Sequence, residues 1–145
     1  MKRALVDTNV ISELRKGDRA NPNVRRWLDG VDESALFLSV LVVGEIRRGI
    51  ERIRPRDEPS ARALDRWLAR LERAYAGRLL SVDHAVAVEW GRLDAAFGLP
   101  LVDGLLAATA RVHGLVLVTR NTKDVARTGV ETLDPFHQLP PIDAP

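Results

Sequence analysis

Four places in the chain carry carboxylate or amide groups where an apolar stretch gives way: Asp7, Glu45, Asp103, and the pair Asn121 and Asp124. Asp7 ends the run Ala4-Leu5-Val6 and is followed by Thr8 and Asn9. A carboxylate directly after a buried strand costs desolvation unless it is paired or bound to a cation. Helix capping is the plainer use for such an Asp. Asn121 and Asp124 follow a second apolar run, Leu115-Val116-Leu117-Val118. Gathered carboxylates raise one another's pKa, and a hard divalent cation relieves the repulsion. Oxygen donors without His or Cys favour Mg²⁺ or Mn²⁺ over zinc. Such an ion activates water and neutralises charge building on a phosphodiester.

The other two places sit on expected helices. At about 100° per residue, Val42, Ile46, Gly49 and Ile53 form a buried stripe, and Glu45 falls on its edge. A salt bridge from Glu45 to Arg48 or Arg52 is the alternative to a cleft position. Asp103 is the only carboxylate of the apolar stretch 101–113 and stands in its first turn. There it could simply complement the helix dipole. Gly104 beside it leaves room for a close approach. Asn121 could begin a turn, and Asp124 could face solvent. No serine–histidine, cysteine–histidine or phosphate-loop arrangement competes, and His84, His113 and His137 lack ligand-like spacing.

To bring these residues together, the chain must alternate strands and helices. Strands are expected at residues 3–7, 35–38, 79–82, 115–118 and 130–133. Helices are expected after Thr8, which is placed to cap the first, and around Val24-Trp27-Leu28. Further helices are expected over Val40–Ile53 behind a Ser39 cap, Asp57–Tyr75, after Asp83, Leu101–His113 and Thr122–Arg127. The alternation predicts a three-layer α/β sandwich with a mainly parallel central sheet of about five strands. Ligands of such sheets sit beyond the carboxyl ends of the strands.

At 145 residues, one domain over 1–145 is expected, with an irregular Pro-rich tail from residue 135. The absence of cysteine excludes disulfides and thiolate zinc sites, and suits a cytoplasmic location. No apolar segment is long enough for a signal peptide or a membrane span. The net charge of +2 decides little, but ten Arg against five acids lie between Arg47 and Arg78. Arg pairs bidentately with phosphate. A solvated helix face would carry the same composition.

At these residues the chain resembles a PIN-domain ribonuclease, the VapC-type toxin of a VapBC toxin–antitoxin pair. The segments carrying the resemblance are Leu5 to Leu14 (LVDTNVISEL), Ser39 to Ile50 (SVLVVGEIRRGI), Asp103 to Ala110 (DGLLAATA) and Val118 to Asp124 (VTRNTKD). The resemblance implies a PIN-like fold and Mg²⁺- or Mn²⁺-dependent endonucleolytic cleavage of RNA, leaving a 5′-phosphate and a 3′-hydroxyl. It implies Asp7 and Asp103 as principal metal ligands, and Glu45 as a ligand or as the group that orients water. Thr8 and Ser39 would support them. The fourth acidic position of the family falls on Asn121, with Asp124 three residues on, which puts a second metal in doubt. A small antitoxin, a homodimer, and operator DNA held only through the antitoxin complex are the implied partners.

An acidic cleft attracts RNA poorly, so basic flanks are needed. Arg62, Arg66 and Arg73 are candidates, with Arg48 and Arg52 as cleft-lining or partner-docking alternatives. The competing function is a regulatory PIN-like module that grips operator DNA with its partner and cuts little, a reading motivated by Asn121. A small-ester phosphohydrolase is disfavoured by Asp7-Thr8-Asn9, where an Asp-x-Asp pair would be expected.

Overall fold

The structure, a computed structural model, describes residues 2–137. Its centre is β1 (Ala4–Val6), three residues buried on both faces. An all-apolar strand of this kind cannot face water on either side, and parallel sheets with helices on both faces supply that environment. Accordingly β1 pairs in parallel with β2 (Leu36–Ser39) on one side and with β4 (Val116–Val118) on the other. The edges are β3 (Leu79–Leu80) and β5 (Thr132–Leu133), also parallel. The strand order β3-β2-β1-β4-β5 confirms the predicted five-stranded sandwich, and the sheet is parallel throughout.

The chain starts in the middle of the sheet, builds outward to β3, then returns to the other side of β1 for β4 and β5. The order therefore reverses between β1 and β4, and crevices open at such switch points. Asp7 and Thr119 lie immediately beyond these two strands, and the Asp7 N–H donates to the Val118 carbonyl at 2.9 Å.

Among the described residues seven α-helices surround the sheet: α1 (Thr8–Leu14), α2 (Pro22–Asp29), α3 (Val40–Ile53), α4 (Glu58–Ala74), α5 (His84–Phe97), α6 (Leu101–His113) and α7 (Thr122–Ala126). The sequence placed α3 and α6 at these limits. Four of the five expected strands exceed the observed ladders by one or two residues at an end, whereas β2 keeps its expected length but is shifted one residue on, to include Ser39. The expectation that Thr8 caps α1 is corrected. Asp7 holds the cap position, its Oδ1 accepting the Thr8 N–H at 2.7 Å, and Thr8 is the first helical residue.

Helix α6 buries Gly104 and every residue from Leu106 to Ala110, so it is packed on more than one side as its composition required. Leu5, Leu38, Ile50, Leu68, Leu106 and Leu117 form the fully buried interior. Helix α4 is tied to α3 by Arg54, which donates to Glu51 and Asp65, and by Arg47, which donates to the same two acids. Of the expected tail, residues 135–137 form a turn that buries Phe136, and 138–145 lie outside the described residues.

Candidate active site

Asp7 is 7% exposed, and its carboxylate is held from three directions. Oδ1 accepts from the Thr8 backbone, while Oδ2 accepts from the Thr119 hydroxyl at 2.7 Å and the Asn9 amide at 3.3 Å. Burial pushes the Asp7 carboxyl above the ordinary aspartate range. The bonds from Thr119 and Thr8 oppose this, and the charges of Glu45 and Asp103 reinforce it. That mutual repulsion places all three acids in one electrostatic neighbourhood.

Hydrogen bonds join the same groups. The Thr8 hydroxyl donates to Glu45 Oε1 at 2.6 Å, linking the start of α1 to the second turn of α3. On the other side, Thr119 Oγ1 accepts the Asn121 N–H at 3.1 Å, and the Asn121 side-chain amide donates to Asp103 Oδ2 at 3.1 Å. One chain of contacts thus runs from Glu45 through Thr8, Asp7, Thr119 and Asn121 to Asp103. It brings together residues from α1, α3, α6 and the two central strand ends.

Asp103 is half-buried, and burial raises its carboxyl too. The Asn121 bond opposes the shift, while the charges of Glu45 and Asp124 add to it. Asp124, in the first turn of α7, therefore lies close enough to act on Asp103, although it makes no hydrogen bond to it. The α6 backbone at this point is set by a close approach. A Cβ on Gly104 would stand 3.2 Å from Cδ1 and Nε1 of Trp90 on α5. The indole N–H there is buried without an acceptor.

The supporting residues take different places. Ser39 is fully buried and caps α3 through the Leu41 N–H at 3.0 Å; it bonds to none of the acids. It acts on Glu45 only by fixing where α3 begins. Arg48 lies 3.8 Å from Glu45 Oε2, the local pairing the sequence allowed. Arg52, Arg62, Arg66 and Arg73 are exposed on α3 and α4, and none bonds to the acidic group. A recess of about 670 Å³ between α1 and α4 holds Arg15, Arg56, Trp67 and Arg70, but contains none of the acids. Charge and hydrogen bonding, rather than concavity, locate the site.

Two residues with no assigned role in the sequence complete the network: Thr119 and Asn9. Thr119 follows an apolar strand and is itself a β-branched strand former, so only its hydroxyl distinguished it. Asn9 donates to both Asp7 and Thr119 and accepts the Arg120 N–H at 3.2 Å.

The donor set can be tested against a divalent cation. Asp7, Glu45, Asp103 and Asp124 supply only oxygen, and among the described residues the one cation paired with them is the exposed Arg48, 3.8 Å from Glu45 Oε2. Among the described residues no three or more Asp, Glu, His or Cys side chains are grouped closely enough to hold a metal ion by themselves. Mg²⁺ keeps several of its waters and typically takes one or two carboxylates, so an open, mutually repelling set fits it.

The fold and the family can be compared with known proteins. The PIN domain model matches residues 4–131, and the chain belongs to that family. It is similar to the toxin FitB of Neisseria gonorrhoeae, at 30% identity over 92% of this chain and 98% of that protein. It is also similar to the VapC ribonuclease Y4jK of Sinorhizobium fredii, at 33% identity over 91% and 96%. Among solved structures, FitAB bound to an IR36 DNA fragment superposes with a TM-score of 0.86 at 28% identity, covering 94% of this chain and 97% of that one. Among the described residues no helix is long and apolar enough to cross a membrane.

Proposed function

We propose that the protein is a Mg²⁺- or Mn²⁺-dependent endoribonuclease and the toxin of a toxin–antitoxin pair. The observation that carries this reading is the single network joining Asp7, Glu45 and Asp103. Asp7 and Asp103 would hold the ion, with Glu45 and Asp124 adding negative charge beside it. When bound, the cation would lower the pKa of a water and offset charge on the scissile phosphate. Thr8 fixes Glu45 through Oε1, leaving Oε2 to take a proton from the attacking water. Thr119 and Asn9 orient the Asp7 carboxylate, and Asn121 orients that of Asp103. Asn121 is neutral and spends its amide on Asp103, so the site supports one tightly held ion.

The relatives extend the reading to partners. A toxin named FitB and a ribonuclease named VapC lie among them, and a FitAB complex is seen on DNA. The corresponding partners here are a small antitoxin, operator DNA through the antitoxin complex, and a second copy of the chain, in the cytoplasm. The regulatory alternative draws on that same DNA-bound complex. Purified protein should cut single-stranded RNA with Mg²⁺ or Mn²⁺ and not in EDTA, and Asp103→Asn should abolish cutting while leaving the melting curve cooperative. Metal-independent cutting contradicts the proposal. Absence of cutting, with no growth arrest on expression, favours the regulatory module.

A further inference from the structure

Arg120 stands between the two residues that anchor the site from β4, Thr119 on Asp7 and Asn121 on Asp103. Its backbone N–H is held by Asn9, so its position relative to the acids is fixed from three adjacent points. An exposed guanidinium on a residue flanked by two such anchors could fold onto the acids, yet neither Asp7 nor Asp103 feels the charge of Arg120. The guanidinium instead lies over the Phe136 ring, 3.7 Å from its centroid. Among the described residues it forms no ion pair, and the acid that feels its charge, Glu13, is already bonded by Asn21 and Lys16.

The ring beneath it is itself fixed. Phe136 is buried, its N–H donates to Asp134 at 2.9 Å, and its carbonyl accepts from Asn23 at 2.8 Å. Stacking engages the face of a guanidinium and leaves its in-plane N–H donors free, in a fork that matches phosphate oxygens. We propose that Arg120, seated on Phe136, is a substrate-binding residue that grips a phosphate of single-stranded RNA next to the scissile one. It supplies attraction at the rim of a site whose own charge repels the strand. The inference rests on the ribonuclease reading above.

Equilibrium binding of a labelled, mixed-sequence single-stranded RNA over a salt series tests this, run in EDTA so that the strand survives. Arg120→Gln should bind about tenfold more weakly, as expected for losing a charge-assisted contact. Its log K against log salt should be shallower by about 0.7, the value for one phosphate on a single strand. Arg120→Lys should restore the slope but only part of the affinity. Phe136→Leu keeps the apolar filling and should weaken binding with the slope retained. Melting curves check that each variant folds. Wild-type slope and affinity in Arg120→Gln overturn the proposal, as does failure of the wild type to bind RNA at all. Loss of binding to an acidic peptide with RNA binding unchanged also overturns it, and marks a protein-docking residue. Cleavage with Mn²⁺, measured in parallel, reports separately on the ribonuclease reading.

Discussion

Asp7 shows what a single buried carboxylate does to both stability and chemistry. The folded protein binds a proton at Asp7 more tightly than the unfolded chain does, because burial disfavours the charge. Stability without metal therefore falls as pH rises from the ordinary carboxylate range through the raised folded value, and levels off above it. Asp7→Asn removes that charge, so its melting temperature at neutral pH in EDTA should exceed wild type, and the gap should close in acid. The same variant should lose cleavage by about a hundredfold or more, as when a group stabilising transition-state charge is removed. A stabilised yet inactive protein is the signature of a functional rather than a structural acid. Thr119→Val should instead destabilise the fold. It takes a 2.7 Å bond from Asp7 and an acceptor from Asn121, and should cost about 1–3 kcal/mol in denaturant melts.

At the scale of elements, each acid is delivered by a cap, a strand end or a helix packing contact. Ser39 carries this logic for Glu45. Ser39→Ala removes the α3 cap and should cost about 1 kcal/mol. Cleavage should fall with it, more than Arg62→Ala lowers it, because α3 begins at the cap and Glu45 follows six residues on. Helix limits were largely legible in the sequence. Val40–Ile53 lies between Ser39 and Pro55, and Leu101–His113 lies between Pro100 and Gly114, whose φ of +66° suits only glycine comfortably. Asp7, Glu45, Asp103 and Asn121 were legible because polar groups interrupt apolar periodicity. Their connections were not. Thr8 reads as a cap in sequence, yet its hydroxyl reaches 37 residues along to Glu45. Thr119 reads as one more β-branched strand residue, yet its hydroxyl bridges Asp7 and Asn121. Phe136 falls in a Pro-rich tail with no periodicity, and only the packed molecule shows it buried beneath Arg120. Side-chain pairings across a hundred residues depend on strand order, which local patterns do not encode.

For the whole molecule, the switch of strand order between β1 and β4 creates the place where these residues meet, and a bound cation would relieve their repulsion. Mn²⁺ should raise the melting temperature in a concentration-dependent way, adding about 2.7 kcal/mol at a hundredfold excess over Kd. Asp103→Asn should blunt this gain, whereas Arg66→Ala should not. The most direct test is a crystal of the protein grown or soaked in Mn²⁺ and measured for anomalous scattering. We expect one strong peak coordinated by carboxylate oxygens of Asp7 and Asp103, with Glu45 bound directly or through water, and its loss in Asp7→Asn. No peak between Asp7 and Asp103 at saturating Mn²⁺, or a peak unchanged in Asp7→Asn, would contradict the account.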